Sequence, residues 1–265
     1  MPRPLAAITG ASAGLGAVFA RKLSARGYDL LLIARRADRL EQLARELPGV
    51  EPLPADLTAP TDIERAAERL AGDPRLSLLV NNAGFGVPGG FLHSPIEEQA
   101  RMHRLHIDCV LRLTHAALGG MVSRQAGGII NVSSVAGFLR SRGSVGYCAT
   151  KSWMIAFTEG LYLEMRRAAP AVAVQALCPG FTYTEFHDVA HLDRATVAKW
   201  LWLDAERVVD ASLAGLDRRK LFVVPGKRYQ LVVAILTKLP ASWRVALEDW
   251  SPQRRDPPLP TDSRG

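Results

Sequence analysis

Apolar residues fall along this chain in short continuous runs that alternate with longer segments of helical periodicity. Runs that are apolar at nearly every position, rather than at every second one, indicate strands that are covered on both faces. Six such runs are expected to form strands: residues 5–9, 30–34, 76–81, 129–133, 172–178 and 221–224. The segments between them are expected to form helices, including residues 15–25, 37–47, 61–70, 96–123, 149–168 and 204–218.

This alternation predicts an α/β fold: a doubly wound, Rossmann-like parallel sheet with helices on both faces. A chain of 265 residues, 48% of them hydrophobic, can bury one large core. We therefore expect a single domain over residues 1–226, in which residues 181–203 form a lid over a substrate site. Residues 227–265 are expected to form a C-terminal extension with an apolar helical segment, 229–239, and a Pro- and Arg-rich end of disordered composition. That apolar segment could dock on the domain, on a second subunit or on a membrane surface.

The composition narrows the classes of partner and the compartment. The formal net charge is +7, but basic residues are mixed with acidic ones, as along residues 64–69, which is typical of a solvated surface. Without a recognition motif, no nucleic-acid partner is expected. The start lacks the features of a signal peptide, and the apolar run 231–236 is too short to cross a bilayer. Three cysteines without metal-ligand spacing favour reduced thiols in a cytoplasmic protein.

A glycine-rich turn lies between the first predicted strand and the first predicted helix. The turn reads Thr-Gly-Ala-Ser-Ala-Gly-Leu-Gly and includes Gly10, Ser12, Gly14, Leu15 and Gly16. Its glycines allow the backbone to approach a pyrophosphate at the helix N-terminus, where free amides and the helix dipole attract anions. Such turns also occur without a ligand, so the spacing alone does not decide between the two interpretations.

The end of the second strand indicates which dinucleotide would bind. An acidic residue about 20 positions beyond the glycines usually accepts a bond from a free ribose 2′-hydroxyl, but this chain has Arg35 and Arg36. Because a guanidinium group suits a phosphate, these arginines, supported by Ser12, predict NADP(H). The alternative is that both arginines merely begin a solvated helix.

Two further turns follow predicted strands. Asp56 and Leu57, after a third strand that is not among the six apolar runs, would suit an adenine amino group, although Asp56 could equally cap the next helix. The runs 76–81 and 129–133 are thus the fourth and fifth strands. Asn82, Ala83 and Gly84 close the fourth strand, where small residues allow the backbone near a ligand. The asparagine amides could instead fix the local backbone.

Tyr147 and Lys151 lie one helical turn apart after the fifth strand, and Ser134 lies at the end of that strand. A tyrosine hydroxyl titrates near pH 10, so acid/base work near neutrality requires a neighbouring cation that favours the phenolate. Lys151 supplies that cation, and Ser134 can donate to a substrate oxygen. By spacing alone, however, a Tyr and a Lys four positions apart are more often a pair on a helix surface.

The whole set of motifs resembles the short-chain dehydrogenase/reductase family. TGASAGLG, NNAG, INVSSVAG, YCATK and CPGFTYT occur in the family's order over about residues 4–225. The resemblance implies that Tyr147 is the acid/base, that Lys151 lowers its pKa and binds the nicotinamide ribose, and that Ser134 rather than Ser133 holds the substrate oxygen. It also implies contacts of Asn82, Ala83 and Gly84 with the adenosine side. The residues implied around the nicotinamide are Pro179, Gly180, Thr182 and Thr184.

One position departs from the family's pattern. The asparagine that usually supports a water-mediated proton relay is His106 here, which puts the relay in doubt and leaves a structural role equally open. No metal site is expected from the histidines, because no carboxylate or cysteine joins them at ligand spacing. His187 and His191, in the expected lid, could face a substrate if the lid is helical. The remaining histidines are His93, His103 and His115.

These features favour an enzyme that transfers a hydride between NADP(H) and a carbonyl or alcohol, with carbonyl reduction as the expected direction. A non-catalytic NADP-binding sensor or scaffold on the same fold is the alternative. A methyltransferase would not use the Tyr and Lys pair or Arg35. The long helices 96–123 and 149–168 suggest a homo-oligomer. Apolar residues near the site suggest an apolar substrate: Phe85, Phe91, Val135, Phe138, Leu139, Phe181 and Phe186.

Overall fold

A computed structural model of the chain describes residues 2–185 and 197–250. These residues form a seven-stranded sheet in the order β3-β2-β1-β4-β5-β6-β7, and every neighbouring pair of strands is parallel. The order reverses between β1 and β4, and ligands bind at such switch points. The strands are β1 (Leu5–Thr9), β2 (Asp29–Ala34), β3 (Val50–Pro54), β4 (Leu76–Asn81), β5 (Gly127–Val132), β6 (Val172–Leu177) and β7 (Phe222–Val223).

Helices connect the strands and continue beyond the last one. A π-helical turn, Arg104–Asp108, joins the fourth helix to the fifth, and 3-10 turns lie at Phe91–His93, Val135–Phe138 and Lys199–Leu201. The helices are α1 (Gly14–Ala25), α2 (Ala37–Glu46), α3 (Pro60–Ala71), α4 (Ile96–His103), α5 (Cys109–Arg124), α6 (Val145–Ala168), α7 (Ala205–Asp217), α8 (Lys227–Leu236) and α9 (Ala241–Trp250).

The sheet is covered on both faces, which explains why its central strands are apolar at nearly every position. Alternate residues of β1, β2, β4 and β5 enter two separate core clusters, one on each face. One cluster includes Ala7, Leu31, Leu79 and Ile129. The other includes Ile8, Leu32, Val80 and Ile130. The predicted doubly wound sheet in a single domain is confirmed.

A buried chain of amide and hydroxyl groups joins the centre of the sheet to two helices. The Asn81 amide nitrogen donates to Thr114 Oγ1 on α5 at 3.0 Å and to Asn131 Oδ1 on β5 at 2.9 Å. Asn131 in turn donates to Thr158 Oγ1 on α6 at 2.9 Å. Because buried polar groups are costly unless they are bonded, these contacts define how α6 sits against β4 and β5.

Several element boundaries differ from the sequence prediction. The third strand, β3, is absent from the six apolar runs because it is an edge strand with an exposed Glu51 and two prolines. The expected helix 96–123 is interrupted by the π-helical turn, and α6 begins at Val145 rather than at residue 149. The apolar segment expected at 229–239 is α8, and a further helix, α9, follows it.

Some expectations fall on residues outside the described ranges. These concern the part of the proposed lid between residues 186 and 196, which includes Phe186, His187 and His191, and the tail beyond residue 250. They stay predictions, as do the proposed domain boundaries.

Candidate active site

A cleft of about 890 Å³ opens where successive strands of the sheet end. In sheets of this kind the carboxyl ends of the strands form the ligand site. Gly16 and His106 are buried and do not line this cleft. The other residues expected from the sequence do line it: Gly10, Ser12, Gly14, Leu15, Arg35, Arg36, Asp56, Leu57, Asn82, Ala83, Gly84, Ser134, Tyr147, Lys151, Pro179, Gly180, Thr182 and Thr184.

The glycine turn owes its shape to positions that exclude a side chain. Gly10 has a φ of 66°, and a Cβ there would lie 2.9 Å from Ala83 Cα. A Cβ on Gly16 would collide with the carbonyl oxygen of Gly10. Gly16 therefore acts behind the cleft, because it lets α1 pack closely against the turn.

The N-terminus of α1 fits a phosphate group. Ala13 precedes the helix without a side-chain cap, no acidic residue lies in the first turn, and Gly14 begins the helix at the cleft. Ala13 therefore provides no side-chain cap for the first amides of α1, and amides at a helix N-terminus attract anions. The turn and the helix end together suit the pyrophosphate of a dinucleotide.

The Asn82 side chain fixes the backbone beside the turn. Its amide nitrogen donates to the Thr9 carbonyl at 2.8 Å. Thr9 Oγ1 accepts from the backbone amides of Asn82 and Ala83, both at 2.9 Å. The structural interpretation of Asn82 is therefore supported by direct contacts, while Asn82 also lines the cleft.

The two arginines after β2 have different environments. Arg36 donates from Nε to Ser12 Oγ at 3.2 Å and from Nη1 to a carboxylate oxygen of Glu185 at 2.9 Å. Arg35 is exposed beside Asp56 and contributes to the electrostatic environment of that carboxylate. Both arginines line the cleft in which a phosphate site is expected.

Asp56 serves the local backbone as well as the cleft. Its Oδ1 accepts from the Thr58 amide at 3.0 Å and from the Thr58 hydroxyl at 2.8 Å. Burial raises the pKa of the Asp56 carboxyl, but the two Thr58 bonds and the Arg35 charge outweigh burial and hold the pKa below its usual value. A carboxylate in this state can still accept a further hydrogen bond.

Ser133 and Ser134 follow β5 and have different surroundings. Ser133 is buried, and its hydroxyl donates to the Lys151 carbonyl at 2.8 Å, which ties the strand to α6. Ser134 lines the cleft, and its hydroxyl is hydrogen-bonded to the Tyr147 side chain. This placement agrees with the choice of Ser134 for the substrate oxygen.

Tyr147 and Lys151 occupy the first two turns of α6 and share its face toward the cleft. The Lys151 side chain is buried, donates from Nζ to the Val132 carbonyl at 2.9 Å, and lies 5.7 Å from the centre of the Tyr147 ring. This is not the geometry of a pair on a helix surface. A cation and a phenol next to Ser134 are suited to proton transfer.

Burial dominates the titration of this pair. It raises the pKa of Tyr147 to about 12, although the hydrogen bond to Ser134 acts in the opposite direction. It also lowers the pKa of Lys151 to about 8. The direction for Tyr147 is opposite to the lowering expected from the sequence, because desolvation of the phenolate is the largest effect and outweighs the hydrogen bond to Ser134. In the protein alone, Tyr147 is thus a protonated acid at neutral pH.

His106 lies inside the π-helical turn, entirely shielded from solvent. Its Nε2 accepts from the Phe85 amide at 3.3 Å, and its Nδ1 lies 2.9 Å from Thr150 Oγ1. Because Nε2 accepts, the ring proton resides on Nδ1 and is donated to Thr150, which itself donates to the Tyr147 carbonyl at 3.0 Å. Both nitrogens are thus occupied by protein groups, which favours the structural role over the relay.

The segment after β6 is held by a residue that the sequence did not single out. The Tyr229 hydroxyl on α8 accepts from the Phe181 amide at 3.1 Å and donates to the Leu201 carbonyl at 2.7 Å. Its ring packs against Gly180 so closely that a Cβ there would collide with it. The C-terminal segment therefore docks on the domain through Tyr229, which no short-range pattern indicates.

Part of the expected apolar set reaches the cleft. Phe91 and Phe138 do not line it. The loop after β4 adds apolar surface that the sequence prediction missed, including Val87 and Pro88. The members of the expected set that do line the cleft are Phe85, Val135, Leu139 and Phe181.

The cysteines and histidines do not form a second site in the described part of the chain. All three cysteines are buried and none is in a disulfide, and burial raises the pKa of Cys109 and Cys178 to about 12. Within residues 2–185 and 197–250, no group of histidine, cysteine or carboxylate side chains is arranged to hold a metal ion. Over the same ranges, the helices are too short or too polar to cross a membrane.

Known proteins resemble this chain in both sequence and fold. The model of the short chain dehydrogenase family matches residues 4–194. Nodulation protein G of Rhizobium meliloti (strain 1021) is 35% identical over 185 residues, which are 69% of this chain and 75% of that protein. A short-chain dehydrogenase from Sphingobium yanoikuyae, solved in complex with NADPH, is 35% identical, with a TM-score of 0.81 over 96% of this chain and 99% of that one. The bulky-bulky ketone specific alcohol dehydrogenase from Comamonas testosteroni is 29% identical, with a TM-score of 0.77 over 91% and 97% of the two chains.

Three features define the class of protein: the doubly wound sheet, the dinucleotide-type turn, and the Ser, Tyr and Lys side chains. The class is that of oxidoreductases that act on a CH–OH or C=O group by hydride transfer. The chain belongs to the short-chain dehydrogenase family.

Proposed function

We propose that this protein reduces a ketone or an aldehyde to an alcohol with NADPH as the hydride donor. The observation that carries this proposal is geometric: Ser134, Tyr147 and Lys151 line the same cleft as the glycine turn and the two arginines expected to favour NADPH. Reduction requires a proton donor, and the Tyr147 hydroxyl can supply that proton. NADPH as the cofactor makes hydride donation to a carbonyl the proposed direction.

The residues of the cleft divide the chemistry between them. A reduced nicotinamide, when bound, supplies the hydride to the carbonyl carbon. The Tyr147 hydroxyl donates its proton to the carbonyl oxygen, and the Ser134 hydroxyl donates a hydrogen bond to the same oxygen as negative charge develops there. The Lys151 ammonium stabilises the phenolate that remains after the transfer and offers a donor to the ribose.

The preference for NADPH rests on Arg35 and Arg36. Both line the end of the cleft where the ribose 2′-phosphate of the cofactor would lie, with Ser12 beside them. No acid occupies the positions directly after β2, where a carboxylate would select NADH. The NADPH complex of the Sphingobium yanoikuyae relative supports the same assignment.

The proposed substrate class rests on the apolar side chains that line the cleft. Phe85, Val87, Val135, Leu139 and Phe181 give part of the cleft an apolar lining. We therefore propose an apolar ketone that carries large groups on both sides of the carbonyl. The name of the Comamonas testosteroni relative, specific for bulky-bulky ketones, supports this choice.

The test is a substrate screen that follows the loss of NADPH absorbance. Diaryl and steroid ketones should be turned over faster than acetone or acetaldehyde, and the Tyr147→Phe variant should provide the inactive control. Binding of NADPH without turnover of any ketone or aldehyde would instead favour the non-catalytic sensor. Faster turnover of the small carbonyls would remove the proposal of a bulky substrate and leave that of a reductase.

We also propose a homo-oligomer in the cytoplasm. The helices α5 and α6 expose Leu111, Val145 and Leu163 to solvent in the single chain, and the absence of a disulfide at all three cysteines suits a reducing compartment. Sedimentation velocity at micromolar concentration checks the assembly, and a monomer under those conditions would count against it.

A further inference from the structure

Arg36 already holds a negatively charged partner at the position proposed for the 2′-phosphate. Its Nη1 lies 2.9 Å from Glu185 Oε2, its Nε donates to Ser12 Oγ at 3.2 Å, and its Nη2 donates to the Ser12 carbonyl at 3.4 Å. Arg36, Ser12 and Glu185 all line the same cleft. A guanidinium group has a limited number of donors, so an incoming phosphate must share or replace the bond to Glu185.

The segment that carries Glu185 is held by contacts of the three residues before it. Thr184, the residue before it, packs on the turn, because a Cβ built on Gly14 would lie 3.1 Å from Thr184 Cβ. A strand-like bridge between Thr182 and Leu203, with a bond of 3.0 Å from the Tyr183 amide to the Leu203 carbonyl, anchors the same segment. The carboxylate is therefore carried to Arg36 by a segment that begins at the proposed nicotinamide end of the cleft.

We propose that Glu185 competes with the 2′-phosphate of NADPH for Arg36 and thereby limits the selectivity of the site for NADPH over NADH. This inference rests on the proposed NADPH site. NADH carries no 2′-phosphate, so it can bind while Glu185 keeps its bond to Arg36. NADPH binds at the expense of that bond and in the presence of a nearby carboxylate. Glu185 thus weakens the binding of one cofactor and leaves that of the other unchanged.

The expected size of the effect follows from exposure. The side chains of Arg36 and Glu185 are 44% and 45% exposed, so solvent screens their attraction and the pair is weak. We expect Glu185→Gln to tighten NADPH binding about 2- to 5-fold and to change NADH binding less than about 2-fold. The difference should shrink as ionic strength rises, because the competing charges are exposed.

The experiment measures dissociation constants by the fluorescence of NADPH and NADH bound to the parent, to Glu185→Gln and to Glu46→Gln. Glu46 is the matched control, since it forms a comparable exposed ion pair with Arg21 at 3.2 Å and does not line the cleft. Competition by adenosine 2′,5′-bisphosphate and by adenosine 5′-monophosphate separates the effect of the 2′-phosphate from any effect at the nicotinamide end. Glu185→Gln should tighten only the bisphosphate.

Measurements in the Arg36→Met variant distinguish competition for Arg36 from simple repulsion between Glu185 and the 2′-phosphate. If Glu185 acts by occupying Arg36, the gain from Glu185→Gln should largely disappear when Arg36 is replaced in Arg36→Met. A gain that survives there in full would overturn the proposal, as would equal effects on NADPH and NADH, no effect, or weaker NADPH binding by Glu185→Gln. NADPH binding without ketone reduction would refute the reductase and leave this inference standing. Failure to bind either dinucleotide would overturn both.

Discussion

Lys151→Met should make the protein more stable while removing its activity. Lys151 is only 4% exposed, and its ammonium group has one described hydrogen-bond acceptor, the Val132 carbonyl at 2.9 Å. Burial therefore disfavours its charged form, which is why its pKa falls from 10.5 to about 8. Methionine has a similar length and shape and carries no charge, so the variant relieves this cost without leaving a large cavity.

The magnitude can be worked from the pKa. At about 1.4 kcal/mol per pH unit, a fall from 10.5 to about 8 corresponds to roughly 3 kcal/mol of lost stability while the amine is charged. Loss of the bond to the Val132 carbonyl offsets about 1 kcal/mol. We expect Lys151→Met to raise the free energy of unfolding by about 2 kcal/mol near neutral pH.

The sign of the pH dependence gives the sharper test. Below about pH 8 both the folded and the unfolded lysine are charged, so the cost is fully present. Between about pH 8 and 10.5 the unfolded chain binds the extra proton, so the parent gains stability with rising pH and the advantage of the variant is lost. Most of the roughly 3 kcal/mol should therefore disappear by about pH 10.

The assay is urea unfolding of the parent, Lys151→Met and Lys220→Met, without cofactor, near pH 7 and near pH 10. Lys220 is the matched control, an exposed lysine in the turn before β7, and its replacement should cause a small change that does not depend on pH. The reasoning is refuted if Lys151→Met is less stable than the parent near neutrality, or if the difference between them is the same at both pH values. Such a result would mean that Lys151 is not held as a buried cation.

Four other substitutions test individual parts of the site. Tyr147→Phe keeps the ring but not the proton, so single-turnover NADPH oxidation should slow about 100- to 10,000-fold while the NADPH dissociation constant stays nearly unchanged. Arg35→Asp should shift the ratio of NADPH to NADH affinity at least about 10-fold toward NADH, measured by fluorescence titration. His106→Leu leaves the Phe85 amide and Thr150 without their shared partner and should lower the free energy of unfolding by about 2 to 4 kcal/mol, measured by urea denaturation. His106→Asn should lose less stability and stay active, and an inactive His106→Asn with parental stability would favour the relay instead.

The sequence predicted those parts of the fold that depend on burial. The central strands are apolar at nearly every position because both faces are covered, so their existence and their parallel arrangement follow from the pattern. The edge strand β3 was not predicted from apolar runs, because it has one open side and contains Pro52 and Pro54. The π-helical turn at Arg104–Asp108 also had no signal, since no glycine or proline interrupts residues 96–118.

For the site, local motifs identified most of the residues that line the cleft, but they could not show which contacts each residue makes. Asn82 donates to the Thr9 carbonyl across 73 positions, and Arg36 pairs with Glu185 across 149. Tyr229 reaches the Phe181 amide from the C-terminal segment. Such contacts depend on how distant segments meet in space, and the spacing of residues in a single sequence does not show which distant segments meet.

The replacement of asparagine by His106 is compatible with the rest of the site because the imidazole is held neutral. Burial lowers the pKa of His106 well below its usual value, and the positive charge of Lys151 lowers it further. A charged imidazole would need both nitrogens as donors, but Nε2 accepts from the Phe85 amide. A neutral ring beside Lys151 adds no repulsion to a cation that burial already disfavours.

A histidine held neutral in this way should not shape the pH dependence of catalysis. Between about pH 5 and 7, where an ordinary histidine titrates, the kcat/KM of the parent should show no change attributable to His106, and the profile of His106→Asn should have the same form. Above about pH 8 both should lose activity, because Lys151 loses the charge that stabilises the phenolate and meets the ribose. A change of kcat/KM near pH 6 that His106→Asn abolishes would show that the imidazole takes up a proton during the reaction. The tautomer assigned from the Phe85 and Thr150 contacts would then be wrong.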